Sequence, residues 1–404
     1  MNKNWKKQFL TIYTGQAFSI LGSAAVQFAI IWWLTVYTES AMTLTLATIA
    51  GFVPIMLLGP FAGVWIDRYN RKYVMIAADA LVALSSAVLG VGFLVTTAPP
   101  IWFVYLILFL RGLGSAFHTP AMQAAIPTLV PHEMLTKVGG WGQLISSISN
   151  MAGPVLGALL MSGVSISLIM LVDIFGAVFA IICLMFVKIP NISQPPEKVH
   201  LLADIKLGFA ALMENKPLVA IFPAMVLANI AFMPLGALYP LLIRVHFGGT
   251  EWHNGLAESV FAAGMLISSL IIGVWGGMKR RFLMVSLSIA ALGITSFVTG
   301  LLPPSGFWFF AGLTFLMGTT GTFISVPLMA YTQETIAPDK MGKVFSLMMT
   351  TSTIAMPAGL LLAGPVSEAI GVDNWFLYSG IVLALTGLLC YLRTARFDKP
   401  KTQE

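Results

Sequence analysis

The chain has 404 residues, 58% of them hydrophobic and only 9% charged, with a mean hydropathy of +0.89. A soluble domain carries about 25% charged residues, so this composition excludes a water-soluble globule and indicates a protein embedded in a bilayer. The net charge of +6 follows from the retention of Lys and Arg on the cytoplasmic side of membrane proteins and calls for no nucleic-acid partner.

A bilayer interior cannot satisfy open backbone groups, which leaves helices or a closed barrel. The apolar runs here are continuous rather than alternating, so they are helices. Twelve membrane-length segments are predicted: 9–36, 44–66, 73–97, 101–127, 138–162, 166–187, 217–243, 254–278, 282–302, 306–332, 343–366 and 373–393. Several exceed the ~20 residues needed to span, so tilt or protrusion is expected. The first run, behind Lys3, Lys6 and Lys7, is too long for a signal-peptide core and reads as a retained helix. Cys183 and Cys390 fall late in apolar runs, where a thiol behaves as a small buried hydrophobe; no disulfide and no metal site are expected.

An even number of spans puts both termini on one side, and the basic residues choose it. Lys3, Lys6, Lys7, Arg68, Arg71, Lys72, Lys137, Lys188, Lys198, Lys206, Lys216, Lys279, Arg280, Arg281, Lys340, Lys343, Arg393, Arg396, Lys399 and Lys401 all fall on the amino-terminal side. The opposite side has only Arg244, and Arg111 lies inside the fourth segment. Both termini are therefore expected in the cytoplasm of a multi-pass protein of the bacterial cytoplasmic membrane. The one long connection, 188–216, begins with Pro190, Pro195 and Pro196 and then turns amphipathic. Leu201, Ile205, Phe209 and Leu212 share one helical face, and Asp204 and Lys206 share the other. A short helix on the cytoplasmic surface fits this pattern; a solvated linker is the alternative.

The linker divides two copies of one design. Gly63-Val64-Trp65 recurs as Gly273-Val274-Trp275, and Pro99-Pro100 before Trp102 recurs as Pro303-Pro304 before Trp308. Pro131 through Met134 recurs as Pro338 through Met341, and Cys183 as Cys390, all at offsets of 204 to 210. The expected organisation is a six-helix half over 1–187, a linker over 188–216, a second six-helix half over 217–393 and a tail over 394–404, an all-α membrane fold with pseudo-symmetric halves.

The charged stretch from Gly63 to Lys72, GVWIDRYNRK, lies between two apolar runs and must be a short loop at a water–bilayer boundary. It resembles the motif between the second and third helices of the major facilitator superfamily, Gly-x-x-x-Asp-Arg-x-Gly-Arg-Lys. Asn70 replaces the family's Gly and is the other residue that tolerates a left-handed turn. Gly59 and Gly63, four apart, would admit a neighbouring helix closely. The resemblance implies a conformational switch built from Gly63, Asp67, Arg68, Arg71 and Lys72, with Asp67 facing the positive end of the eleventh segment near Lys343. A plain topology anchor is the alternative.

In the fifth segment Gly153-Pro154-Val155-Leu156-Gly157-Ala158 resembles the superfamily's antiporter motif, with Gly140 and Ser149 at earlier small positions. Small residues Gly264, Ser268, Gly273 and Gly277 in the eighth segment offer a matching face. A bent, tightly packed helix without special role is the alternative. Arg111 is similar to the superfamily's fourth-helix Arg, although Gly112 and Gly114 stand where a Gln-Gly pair is usual. That resemblance implies help in proton coupling, and a structural Arg paired with a carboxylate or carbonyls is the other reading.

Asp79, Asp173 and Glu258 are the acids inside segments. An unpaired charge there is costly, so each could take up a proton. Glu258 is the first choice as carrier, while Asp79 and Asp173, on scaffold helices, could instead partner Arg111 or helix ends. The first segment holds no acid, only Gln16 and Gln27, unlike many multidrug relatives. His118 could titrate or serve as a packing residue. Gln27, His118, Asn150, Asn229, Phe232, Met233, Tyr239, Phe323, Met329 and Tyr331 are the candidate cavity residues, the methionines and aromatics because soft side chains suit a variable apolar ligand; lipid or helix packing explains them equally well.

The likeness covers nearly the whole chain and resembles in particular the bacterial macrolide-efflux proteins. It is carried by Gly15-Gln16-Ala17, Ala116 through Ala121, Val130-Pro131, Leu135-Thr136-Lys137, Val344 through Leu347 and Asn374 through Leu377. It implies a secondary efflux carrier, not an enzyme, that exports amphiphilic drugs in exchange for protons by alternating access. No cofactor beyond the proton gradient is implied, the partners are drug and bilayer, and a monomer is expected. A lipid or lysolipid flippase, an uptake carrier and a non-transporting sensor are the rival readings. No Gly-rich Lys-Ser/Thr loop for nucleotide hydrolysis is present.

Overall fold

The computed structural model describes residues 5–96, 98–190 and 201–398, without the side chains of Pro60, Gly63, Val64, Asp67, His132, Thr136, 201–205, Pro338, Asp339 and Ser346. Lys3, Pro195, Pro196, Lys198, Lys399 and Lys401 lie outside the described residues, as do the side chains of Leu201, Asp204 and Ile205. Among the described residues there is no strand. The helices are α1 (Trp5–Thr38), α2 (Ala41–Arg68), α3 (Arg71–Val95), α4 (Ile101–Leu129), α5 (Leu135–Gly163), α6 (Ile166–Met185), α7 (Leu201–Glu214), α8 (Lys216–Leu241), α9 (Glu251–Trp275), α10 (Arg281–Leu301), α11 (Phe307–Thr335), α12 (Pro338–Ile370) and α13 (Val372–Thr394). All but α7 are long and apolar enough to cross a membrane, which makes twelve. The chain forms two compact units, one of residues 1–34 and 46–199, the other of 35–45 and 200–404.

In the first unit α3 packs between α4 and α6. Lipid offers no hydrophobic force between helices, so close approach must come from small residues. A Cβ on Gly112 of α4 would run into the Gly51 carbonyl oxygen of α2, and one on Gly114 would lie 3.1 Å from the Ala78 carbonyl oxygen of α3. Gly153 and Gly157 bring α5 onto α1, against Ala24 and against Ala25 and Phe28. Gly15 seats α1 on α6 beside Cys183.

The second unit repeats the device. α10 packs between α11 and α13, with Gly293, Gly300, Gly380 and Gly387 lining the α10–α13 seam at backbone contact. Gly359 of α12 meets Ile230 of α8; both positions lie 206 residues after Gly153 and Ala24. Gly318 of α11 meets Phe261 of α9 and lies the same distance after Gly112. The hydroxyls of Ser286, Ser288, Thr295, Ser296 and Thr299 in α10 each return to a carbonyl within their own helix, so a polar surface is buried without orphans. Cys183 and Cys390 are both buried and free.

Three local expectations are corrected. Asn70 is not left-handed: at φ −67°, ψ 115° it is the N-cap of α3, its side-chain oxygen accepting from Lys72 N at 3.0 Å. The supposed face of Gly264, Ser268, Gly273 and Gly277 is not continuous. Gly264 is taken up by Phe315 of α11, Gly273 has nothing near it, and α9 stops at Gly276, so Gly277 lies past its end at φ +83°. In α7, Phe209 is exposed while Gly208, Ala211 and Leu212 are buried. Gly208 lies against the Lys343 carbonyl of α12, and Lys340 donates to Glu214 at 2.8 Å. The linker helix is thus docked on α12 with Leu212 of the expected face buried and Phe209 turned outward.

Two further ties hold the ends of the second unit. Asp398 caps α10 by accepting from Phe282 N and Leu283 N at 3.1 and 2.6 Å. The 35–45 segment, with Glu39 in the left-handed region at φ +45°, is held by Arg244 on Glu39 (3.1 Å) and by Glu368, which accepts from Ser40 Oγ and Met42 N.

Gly112→Val should cost about 1–3 kcal/mol or more, since the Gly51 backbone cannot yield; Gly312→Ala, with open space around it, should be neutral. The yield of monodisperse protein on size exclusion in detergent and its thermal midpoint check the pair.

Candidate functional site

Apolar helices bury few polar side chains, and each one needs a partner inside the bundle. In the first unit these groups collect in two layers. The deeper layer surrounds Arg111 of α4, which is 6% exposed. One of its terminal nitrogens bonds Asp173 Oδ2 of α6 and Ser86 Oγ of α3, and the other donates to the Ser23 carbonyl of α1 at 3.2 Å. Asp173, fully buried, also accepts from the hydroxyls of Ser23 and Ser86, the latter at 2.7 Å. Four helices therefore meet on one compensated ion pair. The carboxylate that pairs with Arg111 is Asp173.

The other layer surrounds Asp79 of α3. Gln16 Nε2 of α1 donates to its Oδ2 at 3.2 Å, and His118 Nε2 of α4 lies 3.5 Å from its Oδ1. That nitrogen is buried and makes no hydrogen bond among the described residues, nor does Gln16 Oε1. Asp79 does not pair with Arg111. The two layers are in register: Gln16 and Ser23, Asp79 and Ser86, and Arg111 and His118 are each seven residues apart. Seven residues are two helical turns, about 10 Å, so α1, α3 and α4 each place one side chain in each layer. Sequence reasoning missed Ser23 and Ser86 and gave Gln16 no role. The recurrence of polar residues at i and i+7 on three apolar helices was the available signal.

Arg71 and Lys72 of the charged stretch are spent on backbone carbonyls. Arg71 Nη1 donates to the Ala124 carbonyl at 2.8 Å, and Lys72 Nζ to those of Met185 and Val187 at 3.0 and 2.9 Å. Lys72 thus meets the negative end of α6. Arg68 is exposed. Gly63 and Asp67 lie on α2, but their surroundings are outside the described residues.

In the second unit Glu258, partly buried on α9, accepts from Asn254 at 3.0 Å, and no cation pairs with it among the described residues. Met317, 206 residues after Arg111, is buried and receives the Tyr239 hydroxyl at 2.8 Å. Tyr239 is buried among aromatic rings, stacked on Phe376 and edge-on to Phe310. Phe232 stacks on Phe261, and Tyr331 packs edge-on to Phe282. Asn229 turns back to the Met225 carbonyl. Gln27, Asn150, Met233 and Met329 are exposed. Phe323 lines a cavity of about 360 Å³ among α9, α10 and α11, with Trp275, Met284, Ala291 and Thr319. Where the first unit buries a charged pair at Arg111, the second has Met317 among aromatic rings.

The sequence matches the family profile described as transmembrane secretion effector over residues 5–403. It is 40% identical over 390 residues to macrolide efflux protein A of Streptococcus pyogenes, covering 96% of each chain. It is 39% identical over 324 residues to macrolide efflux protein A of Enterococcus faecalis, covering 80% of this chain and 99% of that one. A bacterial homologue of the iron transporter ferroportin, solved in an inward-facing state, superposes with a TM-score of 0.74 at 17% identity, covering 96% of this chain and 99% of that one. A bacterial homologue of the lysosomal transporter Spinster also reaches 0.74, at 12% identity over the whole of both chains.

Asp173→Asn should leave Arg111 charged and uncompensated, at a cost of about 3–5 kcal/mol, whereas replacing both partners with apolar groups, Arg111→Met with Asp173→Leu, should recover most of it. Thermal unfolding of the purified variants in detergent compares them.

Proposed function

Because the chain belongs to the transmembrane secretion effector family of the major facilitator superfamily, we propose that this membrane transporter exports macrolide-like amphiphilic drugs in exchange for protons by alternating access. The reading is supported above all by the identity with macrolide efflux protein A along nearly the whole of both chains. Loss of drug from the cytoplasm against a gradient needs an energy source, and the chain has no nucleotide-binding loop. Acids inside apolar helices are the candidates for taking up and releasing a proton, and the sequence offers Asp79, Asp173 beside Arg111, and Glu258, of which at least one serves. The proton comes from outside, where it is drawn by the membrane potential, at about 2.3 kcal/mol per charge per 100 mV. The distribution of Lys and Arg supports cytoplasmic termini, the resemblance of Gly63–Lys72 supports a switching role for Asp67, and the carrier works as a monomer.

Expressed in drug-sensitive cells, the chain should lower macrolide accumulation, and a protonophore should restore it. A sodium-only dependence, or inward transport, would discard antiport export. Asp67→Ala should abolish efflux while membrane insertion persists, read by resistance and by membrane-fraction yield. A reporter fused after Ala98 should face outward; a cytoplasmic signal would reverse the topology.

A further inference from the structure

Charge counting separates the two layers of the first unit. In the Arg111 layer a guanidinium that cannot lose its proton meets one carboxylate, two hydroxyls and a carbonyl, with only its Nε left without a hydrogen bond among the described residues. Its net charge is zero, and any proton added to Asp173 would strand Arg111. In the Asp79 layer a carboxylate faces a neutral amide and an imidazole. With His118 neutral, that layer carries an uncompensated buried charge of minus one; with one proton added, it carries none. The groups that face Asp79 from the helices packed on α3 are Gln16 from α1 and His118 from α4, with Arg111 and Asp173 two turns away and already paired. α2, which reaches α3 through Ala62, Ile66 and Met75, has no titratable residue before Asp67 at its end.

From this geometry we propose that Asp79 and His118 together form the proton-holding site of the carrier. The proposal rests on the antiport reading above and deepens it by naming the site. The unpartnered Nε2 of His118, aimed at Asp79 Oδ1 from 3.5 Å, is the atom that takes the proton. A closing movement of about 0.6–0.8 Å turns the approach into a charge-assisted hydrogen bond, imidazolium N–H to carboxylate oxygen. Release breaks that bond and returns the proton to water; no other bond changes. Gln16 holds the second carboxylate oxygen through its amide in both states and so fixes the direction in which Oδ1 points. Glu258 stands apart from this pair, in the other unit, and the equivalent of Arg111 there is Met317, so proton exchange resides in the first unit alone.

The test uses the full chain in proteoliposomes with a radiolabelled macrolide. Wild type should accumulate drug in response to a pH gradient and should also exchange labelled for unlabelled drug at equal pH. Asp79→Asn should lose gradient-driven accumulation by about tenfold or more, and keep equal-pH exchange within about twofold. His118→Gln, which can still accept and donate a hydrogen bond but cannot hold a proton, should flatten the dependence on pH. Glu258→Gln should keep the gradient response. If His118→Gln or a folded Asp79→Asn protein keeps the wild-type pH dependence, the site is not here; should Asp79→Asn fail to fold, His118→Gln decides. Gradient loss in Glu258→Gln instead would move the proton to the second unit and overturn the assignment, with antiport intact. A wild-type carrier indifferent to the pH gradient would overturn the antiport reading itself.

Discussion

An arginine that stays charged, buried in a bundle meant for lipid, governs the first unit. Arg111 is tolerated only because Asp173, Ser86 and Ser23 reach it from three other helices, and their reach requires that α1, α3, α4 and α6 approach closely. The glycines supply that approach: Gly114 lets α4 onto α3, and Gly15 lets α1 onto α6. Packing and electrostatics are therefore one constraint, since a wider spacing would strand a charge and an unpaired charge would not hold the spacing.

The large features were legible in the sequence because they rest on patterns the bilayer enforces. Each of the twelve spans appears, and α7 forms where the 188–216 connection turns amphipathic. What escaped the reading depends on rotation about a helix axis, which an all-round apolar helix does not reveal. Phe209 shares the apolar face read for α7 and is exposed, while Leu212 of that face is buried. Asn70 was assigned by its backbone tolerance, yet it acts through its side chain as a cap. The partner of Arg111 could not be chosen between Asp79 and Asp173 without knowing which side of α3 and α6 each occupies.

The duplication also shows what is free to change once a frame exists. Gly153 on Ala24 and Gly359 on Ile230 keep the same contact at the same spacing, while Arg111 and Met317 have parted completely. A polar site survives where all its members are kept together, and a half-satisfied one is worse than none. The second unit has Met317 at the position of the cation, beside Tyr239 and its stacked ring.

The two thiols bear on how such a carrier can be watched. Cys183 and Cys390 are both shielded within helix seams, one beside Gly15 and the other wholly inaccessible. Thiol reactivity needs an accessible thiolate, so a maleimide or nitroxide reagent would meet an almost silent background. The unaltered chain is in effect a cysteine-free template: one engineered cysteine on each unit would suffice for spin-label or fluorophore distances through the transport cycle.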